Sequence, residues 1–216
     1  MVQRRTIAAV ITVAVVMTTA GCGFILGSEP ASFTASPATV SQQALDASGY
    51  EEVSVTPKTV SRNFSAAGQT RTVKVTNQLA QYERQIDLGP LGSRRAGVFV
   101  AFTSPSVSVL GQSFNPIADM STQDLVTRFE SQYEGLTVGS QVGSRSLSIL
   151  GESRTVDKYA GTARLGGKEI DVYIEITEVF NHGSDHVVAV AIYPQQSSGS
   201  PDRVATLFEG LQHERG

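Results

Sequence analysis

Two neighbouring segments near the C-terminal end restrict the fold most. In the first, Ile170, Val172, Ile174 and Ile176 alternate with Asp171, Tyr173, Glu175 and Thr177, the period of two that places successive side chains on opposite faces of a β-strand. In the second, Val187 to Tyr193 is almost continuously apolar, as expected of a strand covered on both faces. Between them lies Asn181-His182-Gly183-Ser184-Asp185, which has turn chemistry. The pair predicts an antiparallel hairpin at the heart of a sheet. A chain with such a centre has to supply flanking strands and something to cover each face.

Flanking strands are readable. Val53 and Val55 alternate with Ser54 and Thr56 before Pro57, and Thr59 to Phe64 continues after an expected bulge. Ala66-Ala67-Gly68-Gln69 reads as a turn, and Val73 and Val75 point one way in the strand Thr70 to Asn77. Leu79 to Ile86 fits strand and helix equally. Ala96 to Phe102 is an apolar strand, and Val107 to Asn115 is irregular. Ser146 to Leu150 and Thr155 to Leu165, which precede the turn Gly166-Gly167, complete a set of four late strands.

Helices are signalled at three places. A short one is expected over Ser36 to Ala47, with Val40, Ala44 and Leu45 on one side and Ser48-Gly49 as its stop. Ser121 opens a second, with Asp124 completing a capping box and Leu125, Val126, Phe129 and Tyr133 sharing a face. Ser200-Pro201-Asp202 starts the last, with Ser200 as cap and Val204, Leu207, Phe208 and Leu211 forming its stripe. The expected class is α+β: an antiparallel sheet flanked by helices, in one domain over residues 38–216.

The N-terminal segment speaks to location. Arg4 and Arg5 precede the apolar run Ile7 to Met17, and Thr19-Ala20-Gly21-Cys22 ends it. That is the layout of an export signal. The run is shorter than the ~17–25 apolar residues needed to cross a bilayer, and Gly21 and Gly23 disfavour a continuous helix. The competing reading is an uncleaved membrane helix reaching Leu26. Cys22, the only cysteine among 216 residues, is the expected lipidation site, so residues 1–21 read as a signal peptide and 22–37 as lipidated cysteine plus flexible spacer. The twin arginines fit either of two export routes.

Cleavage before Cys22 would lower Lys+Arg from 17 to 15 against 20 Asp+Glu, taking the net charge from −3 to −5. Such a chain carries no basic block with which to grip nucleic acid. The expected partners are the membrane, through the lipid, and an envelope protein or a small ligand.

Three groups of residues resemble a known family. Thr19-Ala20-Gly21-Cys22, Ala66-Ala67-Gly68-Gln69-Thr70 with Val73-Lys74-Val75-Thr76-Asn77, and Val190-Ala191-Ile192-Tyr193-Pro194 resemble haloarchaeal membrane lipoproteins of unknown function. The resemblance implies a cell-envelope protein facing outside the cytoplasm. The order helix, antiparallel strands, helix in the second half is similar to the PsbP-like fold of photosystem accessory proteins. That likeness implies a binding or accessory module rather than an enzyme.

Chemistry-bearing residues are few. His182 and His186 are four apart with Asp185 between them, a spacing that on a helix would put two imidazoles on one metal. Gly183-Ser184 breaks any helix there, and Gly183 stands where a zinc protease has its glutamate. A surface hydrolase or metal-dependent enzyme built on His182, Asp185 and His186 is the alternative to a non-catalytic module. No Gly-x-Ser-x-Gly elbow, phosphate-cradling loop or dinucleotide fingerprint is present, and no cofactor is expected. Asn63-Phe64-Ser65 is an N-glycosylation sequon, Arg94-Arg95 reads as a solvated loop pair, and His213 lies near the C-terminal end.

Overall fold

The computed structural model describes residues 30–66, 69–87, 93–109, 112–113, 117–133, 135–165 and 168–215. The stretch read as a signal peptide, Cys22, and residues 67–68, 88–92 and 166–167 lie outside them. In chain order, β1 (Ala31–Thr34) and β2 (Ala38–Val40) precede helix α1 (Gln42–Ser48). A long hairpin follows, β3 (Glu51–Ala66) and β4 (Gln69–Asp87), then β5 (Ser93–Pro105). The small pair β6 (Ser108–Val109) and β7 (Gln112–Ser113) leads to helix α2 (Thr122–Gln132). Next come β8 (Leu136–Ile149), β9 (Glu152–Leu165), β10 (Lys168–Thr177), β11 (Phe180–His182) and β12 (Asp185–Pro194). Helix α3 (Ser200–Glu209) and β13 (Leu211–His213) close the chain.

Nine strands form one sheet in the order β1-β4-β5-β12-β10-β9-β8, with β3 on β4 and β11 on β12. Two antiparallel meanders, β3-β4-β5 and β8-β9-β10-β12, meet where β12 pairs with β5. Among the described residues the one parallel pairing is β1 on β4, Ala31 to Thr34 against Val73 to Thr76. That strand lies inside the stretch read as spacer, and it extends the sheet alongside the free arm of the β3–β4 hairpin. β12 is buried at every residue from Asp185 to Ala191, as its unbroken apolar run predicts, and it pairs antiparallel with β10 as expected.

The expectation of a helix-flanked α+β sandwich, PsbP-like or otherwise, is overturned: among the described residues strands take 64% and three short helices 17%, so the protein is mostly β. The physical reason is visible in three places. The ambiguous Leu79 to Ile86 is strand, because it pairs with β3 and β5 at once. The glycine- and serine-rich stretch 136–145, which carries no alternation, is held as strand β8 by β9 despite register shifts at Val138/Gln141 and Gln141/Gly143. The first predicted helix loses its N-terminal half, because Ala38–Val40 pairs instead with Leu211–His213 at the other end of the chain.

What remains of that helix is capped as the residues dictate. Ser41 accepts from the Ala44 N–H, and Gly49, at φ 71°, ends it in the left-handed region that favours glycine. In α2 the predicted capping box is present in full: Ser121 Oγ accepts from Asp124 N and the Asp124 carboxylate accepts from Ser121 N. In α3 the expected cap is corrected. Gly199 occupies the N-cap, and Ser200 Oγ donates instead to Ser197 Oγ at 2.8 Å. The expected bulge at Pro57 is also displaced. The register shifts between Glu52 and Ser54, which throws Val53 outward to 54% exposure.

Two apolar clusters lie on opposite faces of the sheet. One joins α1 and α3 to Tyr82, Phe99, Val187, Ala189 and Ala191, with the Phe99 and Phe208 rings edge-on at 5.1 Å. The other joins Leu125 and Val126 of α2 to Val172, Ile174, Ile176, Val188 and Val190. Burial at ~25 cal/mol per Å² of apolar surface makes these two clusters the main source of stability.

Candidate ligand cleft and the hairpin histidines

Helix α2 is shorter than the sheet is wide. Leu125 and Val126 press onto β10 and β12, while Phe129 and Tyr133, their rings stacked 5.9 Å apart at 8°, reach only the edge of the covered area. Beyond them the same face continues along β4 and β3 with no helix above it among the described residues. The result is a cavity of about 430 Å³. Val73, Val75 and Leu79 of β4, with Phe102 of β5 and Val188 of β12, form its floor; Leu125, Phe129 and Tyr133 form one wall. The opposite wall is Lys58, Val60 and Arg62 of β3, which share a face because they alternate, and which lie across from Asn77, Val75 and Val73.

The charge around this cleft has one sign. Lys58, Arg62 and Arg128 line it and no carboxylate does. All three are exposed, so the cations stand at the mouth and the interior is aliphatic and aromatic. Asn77 adds a polar atom within: its Oδ1 is buried and has no hydrogen-bond partner among the described residues. A second cavity of about 140 Å³ lies on the far side of Tyr133, between Arg95, Arg164 and the ends of β10 and β12. Burial pushes the Tyr133 phenol up, with Arg95 opposing, so the hydroxyl stays a neutral donor between the two spaces.

The hairpin β11–β12 separates the predicted histidine pair. His182 lies opposite Asp185, and Asn181 opposite His186, so His182 and His186 project from opposite faces of the ribbon. A metal bridging them is excluded by that geometry, and no group of three metal-ligating side chains gathers among the described residues. Asp185 instead meets His213 of β13, which the sequence places too far away to have been linked with it. Asp185 Oδ2 accepts from Ser36 N at 2.8 Å and from His213 Nε2 at 3.1 Å. His182 and His213 share a hydrogen bond between their Nδ1 atoms at 2.8 Å, and Arg215 Nε donates to His182 Nε2 at 3.3 Å.

These contacts define the tautomers. With Arg215 donating to Nε2, His182 carries its proton on Nδ1, donates to His213 Nδ1, and leaves His213 Nε2–H for Asp185. All four ring nitrogens are therefore engaged, and none is left to activate a nucleophile or hold an ion. Burial and the neighbouring His213 and Arg215 pull the His182 imidazole below its usual value, and burial lowers His186 against the opposing pull of Asp185. The cluster is a hydrogen-bonded clasp that ties residues 36, 182, 185 and 213 together.

A second polar cluster sits under the N-terminus of α3. Glu175 is 1% exposed, on the polar-looking face of β10. Its Oε2 pairs with Arg145 at 2.5 Å, and its Oε1 accepts from Tyr193 Oη at 2.5 Å and lies 3.4 Å from Lys158 Nζ. Lys158 Nζ also sits 4.3 Å from the Tyr173 ring centroid. Arg145 donates to the Pro201 carbonyl at 3.1 Å. Alternation alone marks Glu175 as solvent-facing; its neighbours arrive from β8, β9, β12 and α3, none of them adjacent in sequence.

The other sequence-derived candidates are placed as follows. Asn63 is exposed in the body of β3 rather than on a turn, its Oδ1 accepting from Thr72 Oγ1 at 2.9 Å. Arg94 and Arg95 lie in strand β5, not in a loop, and Arg95 pairs with Glu83 at 2.8 Å. Cys22 lies outside the described residues.

Fold and cleft together define a mostly β protein with one broad antiparallel core and an apolar, cation-rimmed cavity on one face. Residues 37–212 match the family described as Domain of unknown function (DUF6517), and the chain belongs to that family. No curated protein matches it.

Proposed function

We propose that this chain is a lipid-anchored extracytoplasmic module of the cell envelope that binds a small ligand without catalysing its conversion. The observation that carries the binding half is the 430 Å³ cleft between α2 and the β3–β4 arm. Its size falls in the ~300–1,000 Å³ range of small-molecule sites, and its apolar lining with a few polar groups has their composition. The anchoring half rests on Cys22 and the segment before it; a lipid with two chains on that cysteine would hold the protein stably, since each buried CH₂ contributes ~0.8 kcal/mol. Among the described residues no helix is long and apolar enough to cross a membrane. The hydrolase alternative finds no support in the hairpin, where His182 and His186 face opposite ways and both ring nitrogens of His182 have protein partners.

Two experiments test the two halves. Membrane fractionation and intact mass of wild type beside Cys22→Ser should show a lipidated Cys22 N-terminus and release or stalled processing of the variant. A retained, unprocessed wild type would overturn the anchor. For the cleft, membranes holding the full chain are labelled with a photoactivatable long-chain alkanol, and the adducts are mapped. Labelling should fall on peptides of β4 and α2 and be lost in Val60→Trp, where an indole fills the space beside a residue that is 47% exposed. Labelling that ignores Val60→Trp would refute the site.

A further inference from the structure

The cleft's shape and its charge point to a particular class of ligand, given that the binding reading above holds. Its floor offers aliphatic and aromatic surface without a charged group, and its volume of about 430 Å³ is near the lower end for small-molecule sites, enough for one slender chain. Its mouth is cationic. Lys58 and Arg62 flank Val60 on β3, and Arg128 projects from α2. None of the three has an ion-pair partner among the described residues, a condition they share with Lys74, Arg84, Arg94, Arg164, Lys168, Arg203 and Arg215; what sets them apart is that they converge on one opening. In a chain with three more acids than bases overall, this apolar opening is lined by three cations and no carboxylate. Guanidinium groups bind carboxylates through paired, charge-assisted hydrogen bonds.

We infer that the cleft takes a single-chain amphiphile with an anionic head, a long-chain carboxylate, its tail along Val73, Val75 and Phe102 and its head between Lys58, Arg62 and Arg128. A zwitterionic or cationic head gains nothing from this mouth, and a wholly apolar chain leaves it unused. The cations being exposed, their attraction is partly screened, and it weakens further as salt shortens the Debye length from ~10 Å at 0.1 M to ~3 Å at 1 M.

The test uses full-length protein in its membrane and three photoactivatable probes of one chain length, differing only in head: carboxylate, alcohol and ammonium. Half-maximal labelling should need about tenfold less carboxylate than alcohol, as expected from three partly screened contacts, and the ammonium probe should label least. The triple variant Lys58→Gln/Arg62→Gln/Arg128→Gln should bring the carboxylate and alcohol curves together, and 1 M salt should do the same in wild type. Equal labelling by all three heads in wild type would overturn the inference while leaving the cleft as a binding site. A carboxylate preference that survives the triple variant would overturn it too. If no probe labels the cleft, the small-ligand reading fails along with it.

Discussion

Glu175 offers the sharpest energetic test of the fold. The carboxylate is 1% exposed and serves three partners: Arg145, Lys158 and the Tyr193 hydroxyl. Replacing it by Leu keeps the volume and removes the acceptor. The two cations are 30% and 27% exposed at their side chains, so they can turn to water, and each loss is worth at most about 1 kcal/mol. Tyr193 is different, because its phenol is buried and has no route to solvent. Burial first, and then the hydrogen bond to Glu175, push its pKa up, so it remains a protonated donor with nothing to receive it. An orphaned buried donor costs about 1–3 kcal/mol. Glu175→Leu should therefore destabilise by about 3 kcal/mol in urea unfolding. Tyr193→Phe alone should cost about 1 kcal/mol. The double variant should cost less than the two added together, by about 1–2 kcal/mol, because the orphan no longer exists. Strict additivity, or a Glu175→Leu protein as stable as wild type, would refute the account of this cluster as an interdependent buried network.

Three further outcomes follow from the other sites. Asp185→Ala strands the Ser36 amide and the His213 Nε2–H together, so stability should drop by about 2–4 kcal/mol, with faster hydrogen exchange at Ser36 as the local readout. Acidification should weaken the fold below the ordinary histidine value of 6.5, because His182 and His186 have lowered values when folded. The unfolded chain then binds more protons than the folded one, stability rises with pH through that window, and it is fully present above it. Unfolding measured from pH 7 to pH 5 should show the slope, and His182→Gln/His186→Gln should flatten it. Gly161→Ala should destabilise by about 1–3 kcal/mol, since an added Cβ would press on the Thr137 carbonyl and the Ile174 side chain. Thermal unfolding of that variant at unchanged midpoint would count against the tight β8–β9 approach.

Local pattern was enough for the parts of the chain whose partners are close in sequence. The β10–β12 centre, the capping box of α2 and the Val204, Leu207 and Phe208 stripe of α3 are each written in one short stretch of sequence, although Leu211, read as the end of that stripe, begins β13 instead. Elements chosen by distant partners were not readable. Ala38–Val40 has helical neighbours and becomes strand only because Leu211–His213 lies beside it. The glycine-rich part of β8 has no periodicity of its own, and pairing with β9 supplies the order. The cleft escaped for a related reason. Lys58 and Arg62 look like ordinary solvated charges on a polar strand, and Arg128 like an exposed helix position. Their convergence around one opening comes from the register of β3 on β4 and from where α2 stops.

The pairing of β2 with β13 has a consequence for how the protein is made. Residues 38–40 find their partner only once residues 211–213 exist, and the Ser36 amide waits for Asp185. The first elements of the domain therefore cannot be completed as they leave the ribosome. They must be kept from misassembly until nearly the whole chain is available, which makes folding a late event dominated by contacts across the full length. Loss of the last few residues would release the beginning of the domain along with its end.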